Sequence, residues 1–307
     1  MGWKDINILK YTAEVKKNMQ LEVSDEIISK DLLLTLILAE FQKENKVFND
    51  LIFKGGTLLS RNYLKYHRFS EDLDFVHKDS GNIRKLARHA RERKIKEFID
   101  LFVPKLKKVA DKLNLDFSIN RSDTKYCSIL HGRTVYTFRV YYEPERYIKI
   151  EINFVEKEVY PPKEVSVKAI TDFFDAKELL FILDLNINNF KVMSYTIDEI
   201  IIEKYRALLT RNTLMERDLF DLYLIPNSLK VKIGEVVEKI ESSFLIKREL
   251  KKNISEKINQ LKEGIFFDSH ERISDLAIIK YDQKDFDTFK EKIKPILIEV
   301  CEAFMKK

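Results

Sequence analysis

The chain has 307 residues, 45% of them hydrophobic, enough to bury a sizeable core and long enough to suggest two domains. Its longest apolar run, "LLLTLILA" at 32–39, is far short of the about eighteen residues a bilayer span needs, so no membrane association is expected. Cys127 and Cys301 lack metal-ligand spacing and the five histidines form no HExxH-type pattern, which argues against a zinc site or a disulfide framework. The opening "MGWKDINILK" has no basic-then-apolar leader pattern, and Ile6 stands where a myristoylation motif requires Ser or Thr. The expected location is cytoplasmic.

In chain order, 24–44 has apolar residues at helical spacing, and "DLIFKGG" reads as a short buried strand ending at paired glycines. "GTLLSRNYLKY" is expected to be a helix starting at that turn, and "SEDLDFVH" alternates as a half-buried strand does. A long basic helix is predicted over about 83–113, followed by strands "LDFSINR", "TVYTFRVYY" and "YIKIEINF", the last two antiparallel, and an apolar-polar run "FKVMSY" ending near 195. From Thr196 the pattern is mostly helical, with Thr196-x-x-Glu199 matching a capping box. The reading is α+β, with domains at 1–195 and 196–307 and no linker, low-complexity tract or repeat.

The chain holds only seven glycines, yet Gly55 and Gly56 are adjacent, and Asp72 and Asp74 follow within twenty positions. Residues two apart on a strand point the same way, so the two carboxylates converge above the sheet. Like charges so placed want a cation. Mg²⁺ fits, because it prefers oxygen ligands and is commonly held by one or two carboxylates together with substrate phosphates. Glycines let the backbone approach a polyphosphate closely, and N–H groups opening a helix point at an anion. Thr57 adds a hydroxyl. A glycine pair or an Asp-x-Asp strand alone would be an ordinary turn or a solvated edge; strand, Gly-Gly, helix and Asp-x-Asp strand in succession describe a nucleoside triphosphate held against a metal ion.

Three other features bear on function. Between Arg84 and Lys96, "RKLARHARERKIK" carries seven Lys or Arg against one Glu, so with a net charge of +5 the rest of the chain sums to −1. Arg84, Lys85, Arg88 and Arg91 could neutralise nucleic-acid phosphates, although no aromatic residue interleaves the block and a solvated helix face is the alternative. In "EIIIEKYRALL", Lys204 projects from the apolar stripe with Glu199, Glu203 and Arg206 opposite, so it either snorkels or meets an anion, for instance a nucleotide phosphate in a cleft between domains. Arg211 invites the same interpretation, while Arg217, Asp218 and Asp221 share a polar face that could be a salt-bridged surface. In "YIKIEINF" the isoleucines take one face, leaving Glu151 beside Lys149 as a third metal ligand, a general base or an exposed ion-pair partner.

The segment "FKGGTLLSRNYLKYHRFSEDLDF" resembles the signature of the nucleotidyltransferases related to DNA polymerase beta. More narrowly it is similar to the AbiEii toxins of two-gene phage-defence and toxin–antitoxin systems, in which "KGGT" precedes an R-x-S-x-D-x-D block, here Arg68, Ser70, Asp72 and Asp74. "EIIIEKYRALLTRNTLMERDLFDLYLI" resembles that family's lysine helix followed by R-D-x-x-D. The resemblance implies a polymerase-beta-like core, a mixed sheet flanked by helices, with a helical C-terminal domain contributing to the cleft. It also implies an enzyme moving a nucleotide from an NTP to an acceptor hydroxyl with Mg²⁺, the acceptor an RNA such as a tRNA 3′ end, and a cognate antitoxin encoded alongside. Carried over residue by residue, it implicates Lys204 and Asp218 in activity. Lys54 joins Gly55, Gly56 and Thr57 at the nucleotide, with Arg68 and Ser70 orienting the Asp-x-Asp strand or the nucleotide. Small-molecule or protein nucleotidyl transfer, and a non-catalytic binding scaffold, remain open alternatives.

Overall fold

The computed structural model describes residues 2–44, 48–185, 187, 190–242, 247–267, 273 and 277–307. They divide into two compact units, the first made of 1–156 and 162–194, the second of 157–161 and 195–307. No described helix is long and apolar enough to cross a membrane.

The first unit is α+β. Helix α1 (Ile8–Met19) is capped by the Asn7 side chain, and α2 (Asp25–Lys43) by the Ser24 hydroxyl with Asp25 and Glu26 in its first turn, where the helix dipole favours negative charge. Then come β1 (Leu51–Lys54), the one-turn α3 (Gly55–Leu58) and β2 (Asp72–His77), followed by α4 (Ser80–Lys85) and α5 (Arg88–Lys112). The unit continues with β3 (Cys127–Leu130), β4 (Val135–Tyr141), β5 (Tyr147–Asn153), β6 (Lys163–Val167), α6 (Lys177–Ile182) and β7 (Phe190–Ser194). The seven strands form one sheet in the order β3-β4-β5-β2-β1-β7-β6. It is mixed: β2–β5 and β1–β7 are parallel, the other pairs antiparallel. Leu73, Phe138, Ile148, Ile150 and Ile152 are buried on one face, where Phe98 and Phe102 of α5 meet Phe154 and Phe138 at ring-centroid distances of 5.5 and 5.3 Å. Burying that face leaves Asp72, Asp74, Lys149 and Glu151 on the other.

Several expectations need correction. The helix after the glycines is shorter than expected: α3 passes into a π-helical segment, Leu59–Tyr63, and ends before Lys65 and Tyr66, both at positive φ. "LDFSINR" is not a strand. Asp116 makes one bridge to Tyr141, after which Ser118 and Asn120 side chains accept backbone N–H groups and turn the chain away. The basic helix is interrupted by Leu86 and Ala87, both in extended conformation. Helix α1 and strands β3 and β6 had no counterpart in the sequence reading.

The second unit is helical: α7 (Ile197–Thr210), α8 (Glu216–Leu224), α9 (Ile233–Glu241), α10 (Lys247–Glu263) and α11 (Gln283–Met305). Parts of the stretch expected to be helical, 243–246, 268–272 and 274–276, lie outside the described residues. Thr196 caps α7 by accepting from Glu199 N, but the Glu199 carboxylate does not reach back to complete a box. It is buried, accepts N–H bonds from Val159 and Tyr160 at 3.0 and 2.8 Å, and pairs with the buried Lys239 at 2.7 Å. Glu199 therefore does not lie on a solvent face as its helical phase implied; it fastens residues 157–161 to the helices.

Candidate active site

Strand β1 delivers the chain to Gly55, whose φ of +81° only glycine adopts without strain. A Cβ at Gly55 would lie 2.4 Å from Asp74 Oδ2, and one at Gly56 would lie 2.7 Å from Arg68 Nη2 and 3.0 Å from Ser70 Oγ. The glycines are thus the spaces into which the carboxylate and the guanidinium fit. Around them the Arg68–Asp74 stretch is stapled to the glycine helix: the Thr57 hydroxyl donates to the Asp72 carbonyl at 2.5 Å and the Ser60 hydroxyl to the Arg68 carbonyl at 2.5 Å. Arg68, buried, donates to the Phe69 carbonyl at 2.9 Å. Thr57 accordingly spends its proton on fixing the Asp72 strand. Lys54 is buried with Glu156, 2.6 Å away, and Asn153 shares that Glu156 oxygen at 3.3 Å. The structure gives Lys54 a protein carboxylate as partner where a phosphate was expected.

Parallel pairing of β2 with β5 sets Lys149 opposite Asp72 and Glu151 opposite Asp74. Lys149 Nζ is 3.3 Å from Asp72 Oδ2 and 3.6 Å from Glu151 Oε2. Burial opposes the Lys149 charge, but Asp74, Asp72 and Glu151 outweigh it and raise the ammonium pKa. Burial, then the Asp74 charge, raises the Glu151 carboxyl above the ordinary range. Among the described residues no three Asp, Glu, His or Cys side chains converge to enclose a metal ion, so Glu151 is not drawn in with Asp72 and Asp74 as a ready third ligand. The donor set nonetheless fits Mg²⁺. Asp72 and Asp74 are half-buried on one strand face with Glu151 beside them, an all-oxygen donor set, and this ion takes its remaining ligands from water and phosphate.

The other candidates lie in the helical unit. Lys204 is buried and sits 2.6 Å from both Asp218 Oδ1 and Asp221 Oδ2; Arg211, half in solvent, closes on Asp218 Oδ2. Burial opposes ionisation of Asp218, but Lys204 and Arg211 outweigh it and hold the carboxyl below the usual range. The anion that Lys204 required is thus a pair of carboxylates from α8, and Asp218 and Asp221 are buried, not on a polar surface. Glu156 had no part in the sequence expectations, and Lys149 and Asp221 entered them only as an ion-pair partner of Glu151 and as a member of a polar face. Lys149 was findable in part, since i, i+2 alternation puts it on the Glu151 face; its place opposite Asp72 depends on a long-range parallel register.

The basic block is less uniform than its sequence. Arg84 is half-buried and donates to the Val155 carbonyl at 3.2 Å, Arg88 pairs with Glu92 at 3.0 Å, and Arg91 is half-buried, while Lys85, Arg93, Lys94 and Lys96 are exposed. The angle between α4 and α5 encloses about 290 Å³, with Asp79 and Glu97 lining it alongside Arg93 and Lys94.

The glycine turn followed by the Asp-x-Asp strand, and the lysine helix followed by R-D-x-x-D, are both covered by a family-level match. The sequence model described as "Nucleotidyl transferase AbiEii toxin, Type IV TA system" matches residues 37–306. The chain belongs to this family. It is a nucleotidyltransferase of the AbiEii toxin class, and membership in a type IV toxin–antitoxin family implies an antitoxin partner. Among solved structures, MenT4, a nucleotidyltransferase toxin from Mycobacterium tuberculosis H37Rv, is 13% identical, covers 95% of this chain and 98% of its own, and superposes with a TM-score of 0.45. No curated protein sequence matches the chain.

Proposed function

We propose that this AbiEii nucleotidyltransferase acts in the cytoplasm as a Mg²⁺-dependent toxin that transfers a nucleoside monophosphate from an NTP to a hydroxyl of RNA, with a tRNA 3′ end as the candidate acceptor. The observation that carries the reading is the Asp74 carboxylate fitted into the space left by the missing Gly55 side chain, with Asp72 on the same strand face. That arrangement supports a polyphosphate lying on the glycine turn against the two carboxylates. Backbone N–H groups at the start of α3 would hold the phosphates, while Arg68 and Ser70, packed against Gly56, keep that backbone in place. Asp72 and Asp74 would hold the ion. Magnesium, when bound, supplies Lewis-acid stabilisation of charge on the transferred phosphoryl group. Glu151, paired opposite Asp74 on the same face, would accept the proton of the attacking hydroxyl in this reading. Lys204, Arg211 and Asp218 form the second constellation of the reading, with Asp218 fixing both cations.

The test incubates the protein with labelled NTPs, Mg²⁺ and total RNA, comparing wild type with Asp72→Asn, Asp74→Asn and Lys204→Ala. Labelling confined to wild type is expected; equal labelling by the Asp72→Asn protein removes the assigned role.

A further inference from the structure

The sheet face bearing Asp72 and Asp74 does not end at Glu151. Register carries it outward: Lys149 pairs with Arg139, and Tyr147 with Tyr141, in β4. Beyond β4, Arg139 N bonds to the Tyr126 carbonyl, which adds Tyr126 to the row. The rings of Tyr126 and Tyr141 are 5.7 Å apart and those of Tyr141 and Tyr147 5.2 Å apart. Cations lie between them, Lys125 Nζ at 4.6 and 4.7 Å from the Tyr126 and Tyr141 rings and Arg139 Cζ at 5.7 Å from the Tyr147 ring. All three tyrosines are half-exposed, whereas the opposite face of these strands is core. Asp116, the nearby carboxylate, is balanced by Lys125 at 2.8 Å and accepts from the Tyr126 hydroxyl.

Cross-strand packing alone can explain a tyrosine pair. It does not explain why three rings and the cations Lys125, Arg139 and Lys149 form one half-exposed row leading to a carboxylate cluster. Rings that offer π-faces, alternating with cations that meet phosphates, are the means by which proteins hold single-stranded nucleic acid irrespective of sequence. The basic block at 84–96 lacks such aromatic residues; this face has them. At about 3.4 Å per residue, Tyr147 is about 14 Å along β5 from Glu151, within reach of a nucleotide a short way back from a reacting end. We propose that Tyr126, Tyr141 and Tyr147, with Lys125 and Arg139, form a stacking track that docks the single-stranded end of the acceptor RNA and leads its terminal hydroxyl to Asp72, Asp74 and Glu151. This inference rests on the acceptor being RNA, as proposed above.

The test is fluorescence anisotropy of a labelled, unstructured RNA oligonucleotide with the full chain, without NTP. Tyr141→Ala/Tyr147→Ala is expected to weaken binding roughly five- to a hundredfold, whereas Tyr141→Phe/Tyr147→Phe, which keeps the rings, stays within about twofold of wild type. Arg139→Gln is expected to lower the slope of log K against log salt by about 0.7. Circular dichroism and thermal midpoint establish that each variant is folded; should the double alanine variant not fold, Tyr126→Ala and the Arg139→Gln salt slope decide. A folded double alanine variant that binds RNA as wild type does overturns the proposal, as does a wild type with no RNA affinity. So does a wild type that self-associates through these tyrosines while RNA binding is unchanged in the variant, which assigns the face to a second copy. Mg²⁺-NTP binding measured by calorimetry on the same proteins separates the two readings: wild-type RNA and NTP binding with RNA binding unchanged in the folded double alanine variant overturns the track alone, NTP binding without RNA binding overturns the track together with the RNA acceptor, and RNA binding without NTP binding overturns the nucleotide site.

Discussion

At the scale of single residues, Gly55 shows how little freedom the site leaves. Alanine there would have to hold φ +81° and place its Cβ 2.4 Å from Asp74 Oδ2. The left-handed backbone alone costs about 1–2 kcal/mol, and relief of the clash must move the carboxylate. Gly55→Ala is therefore expected to lower kcat/KM at least about tenfold in the labelling assay, while Gly81→Ala, where a Cβ meets nothing within 4 Å, serves as the silent control. Lys149 carries the complementary prediction. Its ammonium stands 3.3 Å from Asp72, so a divalent ion held by Asp72 must bind against it. A charge pair at 4 Å is worth about 1 kcal/mol in water and twice that against a divalent ion, so Lys149→Met is expected to tighten Mg²⁺ binding roughly thirtyfold by calorimetry. Unchanged affinity would exclude the lysine as a competing cation. The glycine pair and the alternating aspartates were legible in the sequence, because both are local. The partners that Lys54 and Thr57 have in the fold, Glu156 and the Asp72 carbonyl, were not legible, because long-range pairing supplies them.

At the scale of elements, α7 shows what helical phase can and cannot reveal. It marked Lys204 as a charge in an apolar stripe, but not that α8 would answer it with Asp218 and Asp221. It misplaced Glu199, because a buried lysine on α9 was not visible from α7. Removing one partner from such a cluster leaves an uncompensated buried charge, so Lys239→Met is expected to cost about 3–5 kcal/mol in denaturant unfolding. The Asp218 carboxyl provides a pH test. Its folded pKa lies below the unfolded value of about 3.9, so in that window the unfolded chain binds more protons and stability rises with pH. The stabilisation is complete above the unfolded pKa and is lost as pH falls through the folded one. Asp218→Asn is expected to flatten that acid limb of the stability curve; an unchanged limb would mean that the ion pair contributes nothing to folding.

At the scale of the molecule, charge is concentrated, and the fold redistributes it. The sequence places seven of its cations between Arg84 and Lys96, but the break at Leu86 and Ala87 turns Arg84 inward to the Val155 carbonyl and leaves Lys85, Arg88 and Arg93 exposed. Break and bond are tertiary: nothing in the local pattern forbids one continuous helix, and the carbonyl comes from the segment just after β5. The two surfaces that could meet RNA therefore differ in kind, α4 and the start of α5 offering cations without rings and the β4–β5 face offering rings among cations. A surface that acts only through charge changes the salt dependence of binding; one that stacks bases changes affinity with little change in salt slope. Lys85→Gln/Arg88→Gln/Arg93→Gln is thus expected to lower the salt slope of RNA binding by about 2 if the block contacts phosphates, and by nothing if it is a solvated face. Arg84→Gln belongs to neither surface: losing its bond to Val155 is expected to lower the thermal midpoint while leaving the slope as it was.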